Sequence, residues 1–265
     1  IKADYRQRKQ NDSGIYTVYN PQGAATFTVF DNGGEYTAVA VKGGMRSKPG
    51  TGEAGKTITL KTGTITVDFT GIKADYVQLK QNNAVVYTVY NPQDNATFTV
   101  FDNDDEYTAV AVKGGMSSNP GIGKAGKTIT LKTNTITVSF PGIKADYVQL
   151  KQNGALVYTV YNPQDKAEFK VFDNDVEYTA VAVKGGMSSN PGTGKAGETI
   201  ILKTKTVTVS FPGIKADYVQ LKQNGAVVYT VYNPQEEAKF IVFDNGVAYT
   251  ASVIKGSISQ PYTIS

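Results

Sequence analysis

One unit of sequence occurs four times in this chain, and this repetition constrains the fold more than any other feature. The string IKADY begins at positions 1, 72, 143 and 214, so the spacing is 71 residues each time. Residues 72–142 and 143–213 are identical at 60 of 71 positions. A fixed period predicts an array of structural units that share one fold.

The positions that differ between copies indicate β-strands. The run NATFTVF of the second copy becomes KAEFKVF in the third. Charge is accepted at alternate positions while Phe98 and Val100 keep their counterparts, which is the period of two of a strand with one wet and one buried face. Turn signals such as Asn153-Gly154 separate six or seven such runs. The unit is therefore expected to be an all-β sandwich.

In every copy a short turn links a phenylalanine to a tyrosine six positions later, as in VFDNGVAYTASV at 242–253. In immunoglobulin-like sandwiches a tyrosine near the start of strand F hydrogen-bonds to backbone just upstream and fixes the corner between strands E and F. We therefore expect four corner tyrosines: Tyr36, Tyr107, Tyr178 and Tyr249. Their inward-facing anchors are expected to be Phe30, Phe101, Phe172 and Phe243.

These motifs resemble fibronectin type III and related bacterial immunoglobulin-like modules. The family has an apolar residue six positions before its corner tyrosine, as FDNGVAY does, and ADYVQL and KGSISQPYTIS are similar to its strand C and to its run into strand G. Where the family buries a strand B tryptophan, this chain has Phe69, Phe140 and Phe211. The resemblance implies four tandem immunoglobulin or fibronectin III-like β-sandwiches in an extended rod.

The strand TITVSF sets the domain boundaries that we expect. Such a strand precedes IKADY in the second, third and fourth copies only. Domains then run over 63–133, 134–204 and 205–265, and residues 1–62 form a sandwich that lacks its first strand. The linkers are nearly absent, so a stiff rod on the order of 130–150 Å long is expected.

The missing first strand has two interpretations. The chain is a piece of a longer array, or the gap is filled by a strand from another copy. The second interpretation would give head-to-tail assembly, because an open sheet edge exposes unpaired backbone groups.

Composition excludes several kinds of site. The chain has no cysteine, histidine or tryptophan, which removes disulfides, Cys or His metal ligands and Ser-His or Cys-His acyl transfer. The net charge of +4 comes from evenly spread residues, 27 basic and 23 acidic, so no nucleic-acid partner is expected. No apolar run reaches the ~20 residues of a membrane helix, so no membrane insertion is expected. We expect neither a cofactor nor an enzyme.

Two alternative chemistries stay open. Calcium could bind where Asp102, Asp104, Asp105 and Glu106 lie close together, although an Asx turn explains this motif without an ion. Intramolecular isopeptide bonds occur in some bacterial surface sandwiches. The only carboxylate kept in all four copies, besides the turn aspartate, is that of the KAD motif.

The sequence favours a structural function outside the cell. Near-identical copies suit a stalk, filament or surface-layer segment, because a binding protein usually varies one face among its copies. The expected partners are other copies of the chain or neighbouring repeats. The alternative is an adhesin module that binds a glycan or a surface protein. Its ligand would contact the SSNPGTGKAG loops or one of Tyr158 and Tyr161, which lie on opposite faces of a strand.

Overall fold

The computed structural model of the protein describes residues 2–10 and 13–264. All regular structure in these residues is β-strand, which confirms the all-β class. Within the same residues there is accordingly no helix of the length and apolarity that a membrane crossing needs.

Five strands form the single sheet of the first copy: β1 (Tyr5–Gln10), β2 (Ser13–Tyr19), β3 (Tyr36–Lys42), β4 (Met45–Arg46) and β5 (Gly50–Gly52). Their order is β2-β1-β3-β4, and β5 also pairs with β3. Residues 24–30 and 57–59 align with strands of the second copy but lie in no strand here. In its described residues the first copy thus has one sheet, whereas the second copy has two.

Eight strands build the second copy: β6 (Thr62–Asp68), β7 (Tyr76–Gln81), β8 (Ala84–Tyr90), β9 (Asn95–Phe101), β10 (Tyr107–Lys113), β11 (Met116–Ser117), β12 (Gly121–Gly123) and β13 (Thr128–Thr130). One sheet has the order β13-β6-β9, and the other has the order β11-β10-β7-β8 with β12 on β10. Because β6 is antiparallel to β9 and parallel to β13, it is the middle strand of the smaller sheet.

The third copy repeats this pattern with β14 (Thr133–Lys144), β15 (Tyr147–Gln152), β16 (Ala155–Tyr161), β17 (Gln164–Phe172), β18 (Tyr178–Lys184), β19 (Met187–Ser188), β20 (Gly192–Gly194) and β21 (Thr199–Ile201). Its sheets are β17-β14-β21 and β16-β15-β18-β19, with β20 on β18. The turn between β15 and β16 is the expected two-residue hairpin. Asn153 and Gly154 have φ angles of 50° and 79°, as a type I′ turn requires.

The fourth copy contains β22 (Thr204–Ser210), β23 (Tyr218–Gln223), β24 (Ala226–Tyr232), β25 (Glu237–Phe243), β26 (Tyr249–Lys255) and β27 (Ile258–Ile264). Its sheets are β22-β25 and β24-β23-β26-β27. The long β27 pairs with β26 in the region where the other copies use two short strands.

Alternate residues of the strands form the core of each two-sheet copy. In the second copy the inner face of β6 carries Ile65 and Val67, and that of β7 carries Val77 and Leu79; all four are fully buried. The neighbours of these residues along each strand are less buried. This alternation and the paired sheets confirm the β-sandwich.

The chain divides into two compact units. One comprises residues 1–113 and 117–133, and the other comprises residues 114–116 and 134–265. The first unit therefore holds most of the first two copies. The second holds the last two together with a three-residue segment of the second copy. The bounds of the four domains, the count of four sandwiches and the rod shape stay predictions.

Candidate functional site: repeat joints and an open groove

Each corner tyrosine closes a turn of fixed length. Its hydroxyl donates to the backbone carbonyl of the phenylalanine six residues earlier, at 2.7 to 3.0 Å. All four rings are buried. Burial raises the pKa of three of these hydroxyls, because the tyrosinate would lose its hydration. The four corner tyrosines are Tyr36, Tyr107, Tyr178 and Tyr249. The raised pKa values are those of Tyr107, Tyr178 and Tyr249.

The anchor phenylalanines do not all face inward. Phe101, Phe172 and Phe243 are buried, but the side chain of Phe30 is 85% exposed. The expectation of an inward anchor is therefore wrong at Phe30. In the second copy the equivalent segment is β9, which is held by β6, whereas residues 24–30 lie in no strand and no ladder orients Phe30. The strand B phenylalanines are all buried: Phe69, Phe140 and Phe211.

The tight turn that follows β3, and its equivalents in other copies, contact a neighbouring copy. We call it the Gly-Gly-Met turn. In the first copy it is Gly43-Gly44-Met45, and Met45 is fully buried. A Cβ added to Gly43 would lie 3.5 Å from the Cα of Val86, which belongs to β8 of the second copy. The ammonium of Lys42 lies 5.6 Å from the ring centroid of Tyr87 on the same strand. The turn of the first copy thus packs against β8.

The second unit holds the corresponding turn of the third copy, Gly185-Gly186-Met187. A Cβ on Gly185 would lie 2.9 Å from the carbonyl oxygen of Val228, on β24 of the fourth copy. Met187 is buried, and its Sδ lies 2.8 Å from the hydroxyl of Tyr249. The turn therefore contacts both β24 and the corner tyrosine of the fourth copy.

The three-residue segment Gly114–Met116, which belongs to the second unit, makes similar contacts. A Cβ on Gly114 would lie 3.0 Å from the Cα of Val157, on β16. The backbone N–H of Phe172 donates to the Sδ of the buried Met116 at 3.5 Å. Glycine is needed at this position for two reasons. Its φ is 55°, and the neighbouring backbone leaves no room for a side chain.

An aspartate holds each of these turns from its own copy. In the third copy Asp146 accepts hydrogen bonds from the backbone N–H of Gly185 at 2.6 Å and from the ammonium of Lys184 at 2.9 Å. Burial opposes ionisation of Asp146, but these two donors outweigh it and hold its pKa below the ordinary value. This is the aspartate of the KAD motif. Its side chain is 45% exposed, so the buried carboxylate that isopeptide formation needs is not found here.

The turn of the fourth copy has no neighbour to contact among the described residues. It reads Gly256-Ser257-Ile258, so isoleucine replaces methionine. Gly256 has nearly the φ of Gly185, 57° against 56°, yet a Cβ there would meet nothing within 4 Å. The side chain of Ile258 is 71% exposed.

Sequence reasoning did not identify the Gly-Gly-Met turns as joints. The available signal was the string KGGM, which is identical in three copies and replaced by KGSI in the last. It also missed a second role of the turn asparagines. The side-chain amide of Asn103 donates to the carbonyl of Arg46, and that of Asn245 donates to the carbonyl of Ser188. Each asparagine thus reaches the end of a Gly-Gly-Met turn.

The four acids proposed as a calcium site do not converge. Asp104 forms an ion pair with Lys48, which lowers the pKa of Asp104 through a hydrogen bond, and Asp105 accepts from Gln81. No group of three or more acidic side chains that could hold a metal is found in residues 2–10 and 13–264. The side chain of Asn103 instead accepts from the backbone N–H of Asp105 at 3.2 Å. This contact forms an Asx turn. The predicted calcium site also included Asp102 and Glu106.

One exposed tyrosine recurs at the same position in every copy. Tyr161 is 71% exposed, and its ring pairs with that of Tyr147 at a centroid distance of 6.3 Å. Tyr158 lies less exposed and contacts the ring of Phe169. The equivalents of Tyr161 in the other copies are exposed to 72%: Tyr19, Tyr90 and Tyr232.

An open groove lies in the first copy, at the position that β6 fills in the second copy. It has a volume of about 560 Å³. Residues 23–29 form one wall, and residues 55–60 form the other. The lining contains Arg6, Arg8 and Lys56 but no acidic residue.

Arg6 and Arg8 occupy two positions that are core residues elsewhere. They align with Val77 and Leu79, which are fully buried. Arg8 is itself only 6% exposed, and its guanidinium lies 4.0 Å from the ring centroid of Tyr36. Arg6 donates to the carbonyl of Gly23 at 2.6 Å. Among residues 2–10 and 13–264, the Nε atoms of both arginines are buried and find no hydrogen-bond partner. No ion pair within the described part of the chain includes either arginine.

Comparison with known proteins places the chain in no family. No family model matches it, and no curated protein matches it. Similar solved structures include the human OSCAR ligand-binding domain, with 14% identity over 50% of this chain and 95% of that one, at a TM-score of 0.18. The Bacillus anthracis TIE protein has 10% identity over 97% and 63%, at a TM-score of 0.23. The chicken CNTN1 FN1-FN3 domains have 9% identity over 87% and 92%, at a TM-score of 0.18. Similarities this low carry no argument about function.

Proposed function

We propose that this chain is a structural, non-catalytic segment of an extracellular or cell-surface protein, in which four sandwich repeats are docked in series. The observation that carries the proposal is the recurrence of the Gly-Gly-Met turn. Met45, Met116 and Met187 are all buried, and each lies in a turn that packs against another copy. A contact repeated at each step is what a stalk or filament needs to keep its direction.

Rigid joints give this segment its mechanical role. A Cβ on the first glycine of each turn would lie 2.9 to 3.5 Å from neighbouring backbone, and methionine fills the remaining space with a flexible, polarizable side chain. Such contacts limit bending between repeats, which supports an extended arrangement. The expected length is on the order of 130–150 Å for four sandwiches in line.

Assembly of identical copies by strand donation is a less favoured form of this function. The groove of the first copy has room for a strand, but the strands that the chain could offer carry apolar residues on their inner faces. Ile65 and Val67 are an example. These side chains would be placed against Arg6 and Arg8, which is costly for a charged group.

A second candidate function is glycan or protein binding at the cell surface. The exposed tyrosines support it, because one ring per copy is presented at the same position. An aromatic face is a usual platform for a sugar. Tyr90 and Tyr161, each at least 71% exposed, represent this set.

Negative-stain electron microscopy of the purified chain, over a series of concentrations, tests the structural proposal. Separate elongated particles of the expected length at every concentration would support a docked series. Particles that hinge freely between repeats would contradict it, and long fibres would show assembly of copies. A glycan array with the wild type and Tyr161→Ala then tests the second candidate.

A further inference from the structure

We propose that the first copy recognises the second copy by charge. Residues 46–48 of the first copy form a basic segment, and it fits an acidic turn, residues 102–106, of the copy that follows. The partner that the basic segment selects is thus a copy with several acids in this turn, and salt weakens the contact. This inference rests on the proposed function, because it requires that consecutive copies dock.

The cations of the basic segment depart from the repeat. Residues 45–50 read MRSKPG, whereas the equivalent residues of the second and third copies read MSSNPG. The two differences, Arg46 and Lys48, each add a positive charge. The acids of the turn vary in step: DNDDE in the second copy has four, DNDVE in the third has three, and DNGVA in the fourth has one. The two cations therefore precede the turn that has the most acids.

The basic segment and the acidic turn meet within the first compact unit, and we call this contact the first joint. The ammonium of Lys48 forms a hydrogen-bonded ion pair with the carboxylate of Asp104. Beside this pair, the side-chain amide of Asn103 donates to the backbone carbonyl of Arg46 at 2.8 Å. Two consecutive residues of the turn thus contact the two ends of the basic segment.

Three carboxylates of the acidic turn act on the same ammonium. Asp104 raises the pKa of Lys48 through its hydrogen bond. The negative charges of Asp104, Asp102 and Asp105 raise that pKa further. An isolated exposed ion pair contributes little to stability, but several charges around one cation form a network. Without the cation the acids of the turn would repel one another, so the acidic turn suits a basic neighbour better than a neutral one.

The contact between the third and fourth copies, which we call the third joint, gives an internal comparison. In place of Lys48 it has Asn190, whose side-chain amide donates to the backbone carbonyl of Asp244 at 3.4 Å. The amide of Asn245 donates to the carbonyl of Ser188 at 2.8 Å, which is the same backbone contact as in the first joint. The ion pair is therefore what the first joint adds to a contact that both joints share.

A simpler explanation is that these charges only keep the surface of the chain soluble. Solubility does not require a cation of one copy to face an acid of the next, yet Lys48 pairs with Asp104. It also gives no reason for the neutral residues at the same two positions of the second and third copies. Matching of charge across the first joint accounts for both observations.

Distances between matched spin labels on the full chain test the inference. Because the chain has no cysteine, the substitutions Gln22→Cys and Gln93→Cys place one label on each side of the first joint. Gln164→Cys and Gln235→Cys do the same for the third joint. The four glutamines occupy the same position of the repeat, and all are exposed. Double electron–electron resonance measures the distribution of each distance in 0.1 M and in 1 M NaCl.

The two joints should respond differently to salt. In 0.1 M NaCl each should give one narrow distribution of distances. In 1 M NaCl the screening length falls from about 10 Å to about 3 Å, so the broad, undocked component of the first joint should grow about two- to fivefold, the scale of a few exposed ion pairs. The distribution at the third joint should stay the same.

Two sets of substitutions separate the matching of charges from the charges themselves. Arg46→Ser with Lys48→Asn gives the first copy the residues of the third copy and leaves the acidic turn unmatched. This variant should show the broad component already in 0.1 M NaCl. The further substitutions Asp104→Gly and Asp105→Val give the turn the residues of the fourth copy. The narrow distribution should then return and should not depend on salt.

Equal responses of the two joints to salt would overturn the inference. An unmatched variant with a distribution as narrow as that of the wild type would also overturn it. In either case, narrow distributions in 0.1 M NaCl would leave the docked series itself intact. Broad distributions at both joints of the wild type in 0.1 M NaCl would instead refute the proposed function, and this inference with it.

Discussion

The sulfur of Met187 lies 2.8 Å from the hydroxyl of Tyr249, which donates at 2.9 Å to the carbonyl of Phe243. One residue of the third copy therefore touches the hydrogen bond that closes a corner of the fourth. A substitution at Met187 should therefore also weaken the corner at Tyr249, and a substitution at Tyr249 should weaken the contact with Met187.

Removing the methionine side chain should destabilise the joint. Met187 is 1% exposed, so Met187→Ala leaves a cavity and should lower the free energy of unfolding by about 2–4 kcal/mol. Urea denaturation of the full chain measures this loss in the free energy of unfolding. The matched control is Ile258→Ala, because Ile258 occupies the same position in the fourth copy but is 71% exposed. Equal losses of unfolding free energy in the two variants would contradict the packing of Met187 between two copies.

The corner hydroxyl should contribute separately from the ring. Tyr249→Phe removes the donor to the carbonyl of Phe243 and leaves that buried acceptor unpaired, at a cost of about 1–3 kcal/mol. Tyr232→Phe is the control, since Tyr232 is 72% exposed. Thermal unfolding followed by circular dichroism compares them. A variant of Tyr249 as stable as the control would show that the hydrogen bond is not needed.

The corner tyrosines should make the protein sensitive to alkali. Burial raises the pKa of Tyr249 to about 12, above the ordinary value of 10. The folded state therefore keeps this proton more tightly than the unfolded state. Its contribution to stability is full below pH 10 and is lost as the pH rises from 10 toward 12. Absorbance titration at 295 nm should show one fewer late-titrating tyrosine in Tyr249→Phe than in the wild type, and a titration unchanged by that substitution would refute the assignment.

The aspartate of the KAD motif should act in the opposite pH range. The pKa of Asp146 is lowered in the folded state, so its contribution to stability is present above its ordinary pKa. The contribution is lost as the pH falls through the lowered value. Asp146→Asn should reduce stability by under about 1 kcal/mol at pH 7, because the carboxylate is half exposed. Melting curves between pH 6 and 2 should show the gap closing, and a gap of constant size would contradict the role of the charge.

Much of the fold could be predicted because its causes are local. The alternation in residues 95–101 gave β9, and the positive φ angles of Asn153 and Gly154 follow from a turn that few other residues tolerate. The corner between Phe243 and Tyr249 could also be anticipated from its spacing.

The candidate sites were harder to predict because they depend on contacts between copies. Phe30 has the same local sequence as Phe101, yet it is exposed, because no strand holds its segment. The joint could not be derived from KGGM alone, since the string does not say which surface it meets. Arg6 and Arg8 depart from the repeat in the sequence, but the sequence does not show that they line a groove.

A pair of glycine variants tests whether each Gly-Gly-Met turn docks one copy onto another. Gly185→Ala and Gly256→Ala meet the same backbone strain, since the φ angles are 56° and 57°. Only the alanine at Gly185 meets a neighbour, 2.9 Å from the carbonyl oxygen of Val228. Urea denaturation should show that Gly185→Ala loses about 1–3 kcal/mol more than Gly256→Ala, the usual cost of overpacking. Equal losses from the two variants would mean that the turn of the third copy does not dock, and the structural account would fail.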